Sequence, residues 1–423
     1  MALHVVVVGA GIVGAACAVE LVREGYQVTL VDPAEPGGEQ SASYGNAGWI
    51  SPASVVPMST PGLWKRLPGF LLDPAGPVVL RWRHVPKLLP WLGRFLLAGS
   101  TMARVEAISS ALAALLHDAP ARHAALAAEI GASDIVRRDG LLYVYPDSQA
   151  FAGDSLSWRL RRDNGVVWRE LDADELRRCE PDLDPRYTFA VLVAGGAHCR
   201  DPGGYVRAMV KHARGRGAVL RRASAVGFDC RDGGLRSVVT DAGAIACERA
   251  VIAAGIHSGG LAREVGDAIP LASERGYHVV VADPAARPRR PSMPSDGRMG
   301  NTMTVAGLRA AGQVELASLS APPDWRRADI LLTRLIAAYP ALGGDVPEGR
   351  IARWMGHRPS TPDGLPVIGR SRLCADVVEA FGHGHVGLAT APVTGRTVAD
   401  LIAGRSPLVA LRPYSPGRFS LWR

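Results

Sequence analysis

Residues 3–33, LHVVVVGAGIVGAACAVELVREGYQVTLVDP, leave the chain little freedom in how it begins to fold. The valines at 5–8 read as a buried parallel strand. Gly9, Gly11 and Gly14 follow at once in G-x-G-x-x-G spacing, with Ala10, Ile12 and Val13 between them. Helical spacing runs over 15–24, Gly25 supplies a stop, and 27–31 reads as a second strand ending at Asp32. This is a βαβ unit in which each glycine has a reason. Gly9 allows the tight turn, Gly11 lets backbone approach a pyrophosphate, and Gly14 lets helix and strand pack closely. The helix N-terminus faces the phosphates, and Asp32 stands where an acid holds a ribose hydroxyl. The unit suits nicotinamide and flavin dinucleotides alike.

A length of 423 residues gives room for two domains. The formal charge of +8 raises the question of nucleic acid. However, the cations are nearly all Arg, with Lys only at 65, 87 and 211, and no basic stripe is interleaved with aromatics, so nucleic-acid binding is excluded. The six cysteines form no C-x-x-C pair and fit reduced thiols in a cytoplasmic protein. The N-terminus shows no signal peptide, and no run of about 18 apolar residues is long enough for a membrane span.

Further along, the small, polar stretch SASYGNAGWISP (41–52) reads either as a loop or as backbone on which a planar ring can lie. Residues 61–100 mix Trp64, Phe70, Trp82, Trp91 and Phe95 with Lys65, Arg66, Arg81, Arg83, Lys87 and Arg94, between prolines. That mixture fits a membrane interface or a loop region packed on a sheet. Helices are expected over 101–130, 203–216 and 328–338. A returning strand at 250–254 ends at Gly255, and 261–350 reads as a separate β-rich lobe. Near the C-terminus, His383 and His385 in GHGHVG (382–387) are two residues apart with no nearby Cys or acid to complete a ligand set, so no metal site is expected. No G-x-S-x-G nucleophile elbow exists. Arg358 precedes the rigid turn PSTPDGLPVIG, where a guanidinium either clamps a carboxylate or satisfies loop carbonyls.

Taken together, the N-terminal unit, SASYGNAGWISP, RGYH (275–278), WMGHRPSTPDGLPVIG (354–369) and AFGHGHVGLATAPVTG (380–395) resemble the D-amino-acid oxidase superfamily of FAD-dependent amine oxidoreductases, and within it the bacterial D-amino-acid dehydrogenase group. The resemblance implies an α/β fold of α+β arrangement: a Rossmann-like FAD-binding domain (1–60, 196–265, 352–423) interleaved with a β-rich substrate lobe (61–195, 266–351). It implies non-covalent FAD held by Gly9, Ala10, Gly11, Ile12, Val13, Gly14 and Asp32 at the ADP end. Many relatives carry Glu in place of Asp32. Asn46, Ala47, Gly48, Gly382, His383, Gly384, Val386 and Gly387 would pass along the flavin, Val226 would meet the adenine through its backbone, and Gly255 would close a turn beside the cofactor. His385 is assigned to packing. A helix over 391–403 would point its positive end at the flavin. Arg358 matches the arginine that grips the substrate carboxylate, and Tyr277 and His278 would line the substrate pocket.

Two departures carry weight. Where sarcosine oxidases attach flavin to cysteine, this chain has Gly356-His357-Arg358, and its three lysines lie outside the flavin-lining motifs. The implied activity is therefore dehydrogenation of a small D-amino acid by hydride transfer to flavin, giving an imine. Electrons would pass to a quinone or protein carrier in a cytoplasmic enzyme, peripheral on the inner membrane face if 61–100 is an interface segment rather than a packed loop. No protein base is required. Alternatives are a D-proline or D-hydroxyproline dehydrogenase, a glycine or sarcosine oxidase, an NAD(P)-dependent dehydrogenase and an electron-transferring flavin subunit.

Overall fold

The structure, a computed structural model, describes residues 3–422 apart from 66–68, 70–75 and 77. Arg66 and Phe70 of the mixed segment lie outside the described residues. The valine run forms strand His4–Val8 at the middle of a six-stranded sheet. From one edge the order is Val219–Arg221, Gln27–Val31, His4–Val8, Arg249–Ile252, Val377–Phe381 and Val367–Arg370. The neighbours run parallel except the last pair. Alternation along His4–Val8 supplies two cores. Val5 and Val7 join helices Ile12–Arg23, Pro202–Gly215 and Gly387–Ile402, whereas Val6 and Val8 pack with Leu235, Val238 and Ile245 from a small three-stranded sheet on the other side.

Close helix contacts explain two glycines. A Cβ on Gly14 would lie 1.9 Å from the Gly9 carbonyl oxygen, and one on Gly395 would lie 2.8 Å from Ala16 backbone atoms. The last helix starts at Gly387, four residues before the expected 391. Its early start leaves Pro392 inside the helix, where proline cannot donate to the Leu388 carbonyl. Buried His123 makes up the loss: its Nε2 is 2.9 Å from the Leu388 oxygen and 3.3 Å from that of Ala389. Both partners only accept, so Nε2 carries the hydrogen. Burial pushes the His123 pKa down to about 4, which keeps the ring neutral.

The second large sheet has nine strands. Ile351–Ser360 forms one edge and Arg169–Leu171 the other; Ala272–Val281 lies next to the first edge, between Ile351–Ser360 and Gly307–Leu316. Val78–Leu80 pairs with the end of Gly307–Leu316, and the sheet continues through Met299–Thr304 and Ser292–Pro294 to Leu141–Tyr145 and Phe189–Val193. The expected domain boundary at 352 falls inside strand Ile351–Ser360, which belongs to this sheet. Helix Arg326–Ala338 covers one face, with Leu331 and Leu335 against Tyr277 and Val279. The other face is turned towards the six-stranded unit.

Candidate active site

Between the two sheets lies a cavity of about 1200 Å³, larger than a pocket for one small ligand, which runs to roughly 1,000 Å³. Gly9, Gly11, Ile12, Val13 and Asp32 line it from the six-stranded unit, and Glu274, Gly276, Gln313 and Arg358 line it from the nine-stranded sheet. Around Asp32 the chain makes a cradle. Gly9 has φ +102°, and a Cβ there would sit 2.4 Å from the Ala253 carbonyl oxygen. Gly11, which has no side chain to cap with, begins the first helix; the Ile12 N–H donates to Ser43 Oγ at 3.0 Å, and this positive helix end lines the cavity. Asp32 Oδ2 accepts from the Ala10 N–H at 2.8 Å, and Oδ1 accepts from the Ala34 N–H at 2.9 Å. Each oxygen keeps a lone pair for a hydroxyl donor.

Asn46, Ala47, Gly255, Gly382, His383, Gly384, Val386 and Gly387 all line the wall. The last helix starts here with no side-chain cap, and Gly387, Leu388 and Ala389 face the cavity. The 39–48 loop is pinned from behind. Arg309 Nη1 donates to the Tyr44 and Asn46 carbonyls at 3.1 and 2.7 Å, Thr302 donates to Ala47 O at 2.8 Å, and Trp354 Nε1 donates to Glu39 O at 2.8 Å. Trp49 Nε1, also on the wall, is buried without a partner among the described residues and offers a donor to a ligand. Glycine backbone, two positive helix ends, an acid with a lone pair to spare on each oxygen and an unpartnered donor fit a dinucleotide carrying a flat ring.

Four predicted cofactor residues stand back from the wall: Ala10 is buried, its N–H on Asp32, and Gly14, Gly48 and Val226 join it. Gly48 has φ +81° and abuts the Cys199 carbonyl, Gly14 serves helix packing, and Val226 is 59% exposed while its neighbours Ser224 and Ala225 line the cavity. His383 is buried, with Nε2 3.1 Å from Thr394 Oγ1, and burial pushes its pKa down to about 3.

On the nine-stranded sheet Arg358 is half-buried, and its Nη1 donates to Gln313 O at 3.1 Å. Two backbone features place it. Gln313 takes φ +57° at a bulge in Gly307–Leu316, and Gly276 on the adjacent strand leaves the space the guanidinium fills: a Cβ there would lie 2.2 Å from Cζ. Burial lowers the Arg358 pKa from its ordinary value, and Glu274 opposes that shift.

Tyr277 and His278 do not line the cavity as expected. Side chains alternate along Ala272–Val281, so Tyr277 points away from Glu274 and Gly276 into the helix-covered core. There its hydroxyl donates to Glu315 Oε2 at 2.6 Å and accepts from the Asp324 N–H at 3.0 Å. His278 shares the cavity face but is covered: its ring stacks on Trp354 at 5.0 Å and Nδ1 contacts the Gly45 carbonyl at 3.2 Å. Burial, with Arg309 nearby, holds its pKa down at about 3.

His385, assigned to packing from sequence, faces the cavity instead, with its Nε2 2.7 Å from Oε2 of buried Glu274. Glu274 and the loop-holding Arg309 carried no sequence signal of their own, and Trp354 carried one only as the first residue of WMGHRPSTPDGLPVIG.

The mixed segment divides. Helix Val85–Ala98 leans over the cavity, where Trp91, Leu92, Phe95 and Leu96 line it and Trp91 stacks on Phe95 at 5.2 Å. Trp64, Trp82 and Leu89 are exposed. Among the described residues no helix is long and apolar enough to cross a membrane.

The FAD dependent oxidoreductase (DAO) family profile matches residues 4–401. A D-amino-acid oxidase of Bradyrhizobium diazoefficiens is 52% identical over 416 residues, covering 98% of this chain and 99% of the relative. D-amino acid dehydrogenase 2 of Ralstonia nicotianae is 33% identical, covering 98% and 100%. Among solved structures, glycine oxidase from Geobacillus kaustophilus superposes with a TM-score of 0.75 at 21% identity, covering 98% and 99% of the two chains. The chain belongs to the FAD-dependent oxidoreductase family of D-amino-acid oxidase type, with FAD as its cofactor.

Proposed function

We propose that this protein oxidises D-amino acids with non-covalently held FAD. The observation that carries the reading is Arg358, a cation held by Gln313 and Gly276 on the nine-stranded sheet, lining the same cavity as the dinucleotide cradle. The D-amino-acid names of the 52% and 33% identical relatives support the substrate class. In this reading the residues of the six-stranded unit hold FAD, and the second sheet presents the substrate. Arg358 grips the carboxylate through two parallel N–H donors and thereby fixes the direction of the Cα–H bond. FAD, when bound, supplies the hydride acceptor. The imine formed hydrolyses to a 2-oxo acid and ammonia, and a secondary amine of the proline type would leave a cyclic imine.

Near Arg358 the walls are Val78, Leu80, Trp91, Leu92, Phe95 and Leu316, which favour a bulky apolar side chain. Anaerobic bleaching of the yellow enzyme by a panel of amino acids tests the reading. D-phenylalanine and D-leucine should bleach it faster than D-alanine, D-proline, glycine or sarcosine, and L-amino acids should not. Bleaching by L-forms alone, or by none, rejects the proposal.

Two observations point to different acceptors. The 52% identical relative is named an oxidase, which favours oxygen. None of the three lysines lines the cavity, which favours a quinone or protein carrier. Turnover in air with peroxide detection, against turnover with a quinone analogue, separates them. Exposed Trp64, Trp82 and Leu89 beside exposed Lys65, Arg83 and Lys87 support peripheral contact with an anionic membrane, as on the cytoplasmic face. Vesicles rich in anionic lipid should pull the protein down, and a Trp64→Ala, Trp82→Ala double variant should stay in solution. Equal sedimentation of the two would remove the tryptophans from that role.

A further inference from the structure

Glu274 is 4% exposed, yet it forms part of the cavity wall. Its Oε2 lies 2.7 Å from His385 Nε2. Burial raises its pKa, but the His385 hydrogen bond opposes that, Arg358 adds to the opposition, and the carboxyl ends below its ordinary value. An ionised carboxylate only accepts, so the hydrogen in this contact belongs to Nε2. That fixes the tautomer of the neutral ring: Nδ1 is a bare acceptor with no hydrogen bond to the described residues, on a side chain 40% exposed in the cavity. Glu274 thus stands between the carboxylate clamp and an imidazole lone pair, as an α-amino acid's own carboxylate and amine stand close together.

We propose that His385 Nδ1 accepts the proton that the substrate ammonium must lose before oxidation, and that Glu274 is the positioning residue that sets the tautomer. This rests on the amino-acid oxidation reading above. In the step, the ammonium N–H bond breaks and its electron pair stays on nitrogen, where it drives loss of hydride from Cα. The proton forms Nδ1–H, and the imidazolium lies against the Glu274 carboxylate until it returns the proton to water. Other groups facing this region come from every neighbouring element. Arg358 and His357 lie on Ile351–Ser360, His257 on the short turn Gly255–His257, and His383 on the same loop as His385. His357 is tied to Ser273 Oγ at 2.8 Å and His383 to Thr394, and neither has an acidic partner. His385 alone of these has one.

The test is the anaerobic rate of flavin reduction by limiting D-phenylalanine or D-leucine between about pH 6 and pH 10, for the FAD-loaded full chain. In wild type the rate should level off well below the pKa of a free amine. In His385→Ala it should fall about 100-fold near neutral pH. The rising limb should move at least about one unit to alkaline pH, so that variant and wild type converge at high pH. His385→Asn, which keeps polarity and bulk without a base, should show the same shift, and added imidazole should restore part of the His385→Ala rate. Glu274→Gln should move the limb in the same direction. Flavin absorbance confirms that each variant is loaded. A uniform fall at every pH, or an unmoved limb in both His385 variants, overturns the assignment while leaving the D-amino-acid reading intact. A wild type bleached by no amino acid overturns both.

Discussion

Arg358→Ala raises KM for a D-amino acid about 100-fold while the protein stays yellow. Charge-assisted hydrogen bonds contribute roughly 1.5–3 kcal/mol each, and loss of a bidentate pair net of water's compensation is about 3 kcal/mol, or two decades in binding. Flavin content should hold, because Arg358 lies on Ile351–Ser360 in the nine-stranded sheet, not in the six-stranded unit that carries the Gly9–Asp32 cradle. Arg358→Lys should recover only part of the affinity, since an ammonium is a point charge without the planar fork. A separate variant removes the geometry and keeps the charge. Gly276→Ala would place Cβ 2.2 Å from the guanidinium carbon, forcing the side chain out of its slot. It should raise KM in the same direction as Arg358→Ala. Steady-state kinetics with flavin absorbance checks both, and an unmoved KM in Arg358→Ala removes the arginine from substrate binding.

The parts of this site that could be read from sequence are those fixed by local sterics. Gly9, Gly11, Gly14 and Asp32 lie within one βαβ unit, where turn, helix start and strand end each constrain the next residues. The pairing of Glu274 with His385 spans 111 positions, and nothing local announces it. In RGYH the aromatic residues drew attention, although strand alternation puts Gly276 rather than Tyr277 beside the cavity; the informative residue was the glycine that makes room for Arg358. His278 has the right face, but Trp354 and the Tyr44–Asn46 loop cover it, a tertiary fact. Pro392 explains the late helix start read from the sequence: proline ordinarily marks a helix's first turn, and its tolerance here depends on His123, far away in the chain. The 61–100 segment could not be divided from composition alone, because Trp91 and exposed Trp82 differ in partners rather than in type.

Gly14→Val should yield a protein that no longer holds FAD through gel filtration. The Gly14 Cβ position lies 1.9 Å from Gly9 O and 2.9 Å from Gly9 C, both backbone atoms, so no side-chain rotation relieves the overlap. Gly9 has no freedom to retreat, since its own Cβ position already falls 2.4 Å from the Ala253 carbonyl oxygen. The first helix must therefore lift from His4–Val8 and carry Gly11, Ile12 and Val13 off the cavity wall, with an overpacking cost of about 1–3 kcal/mol. The lost dinucleotide is the larger effect, because the positive helix end then points away from the phosphates. Gly25→Ala is the matched control. It has φ +81° but nothing within 4 Å, so it should cost about 1 kcal/mol of stability through backbone strain alone and leave the flavin spectrum unchanged. Thermal melts with absorbance of the gel-filtered fractions separate the two cases. Equal flavin retention by Gly14→Val and Gly25→Ala would mean that the helix can shift without disturbing the cradle, and that close packing at Gly14 is not what positions the phosphate site.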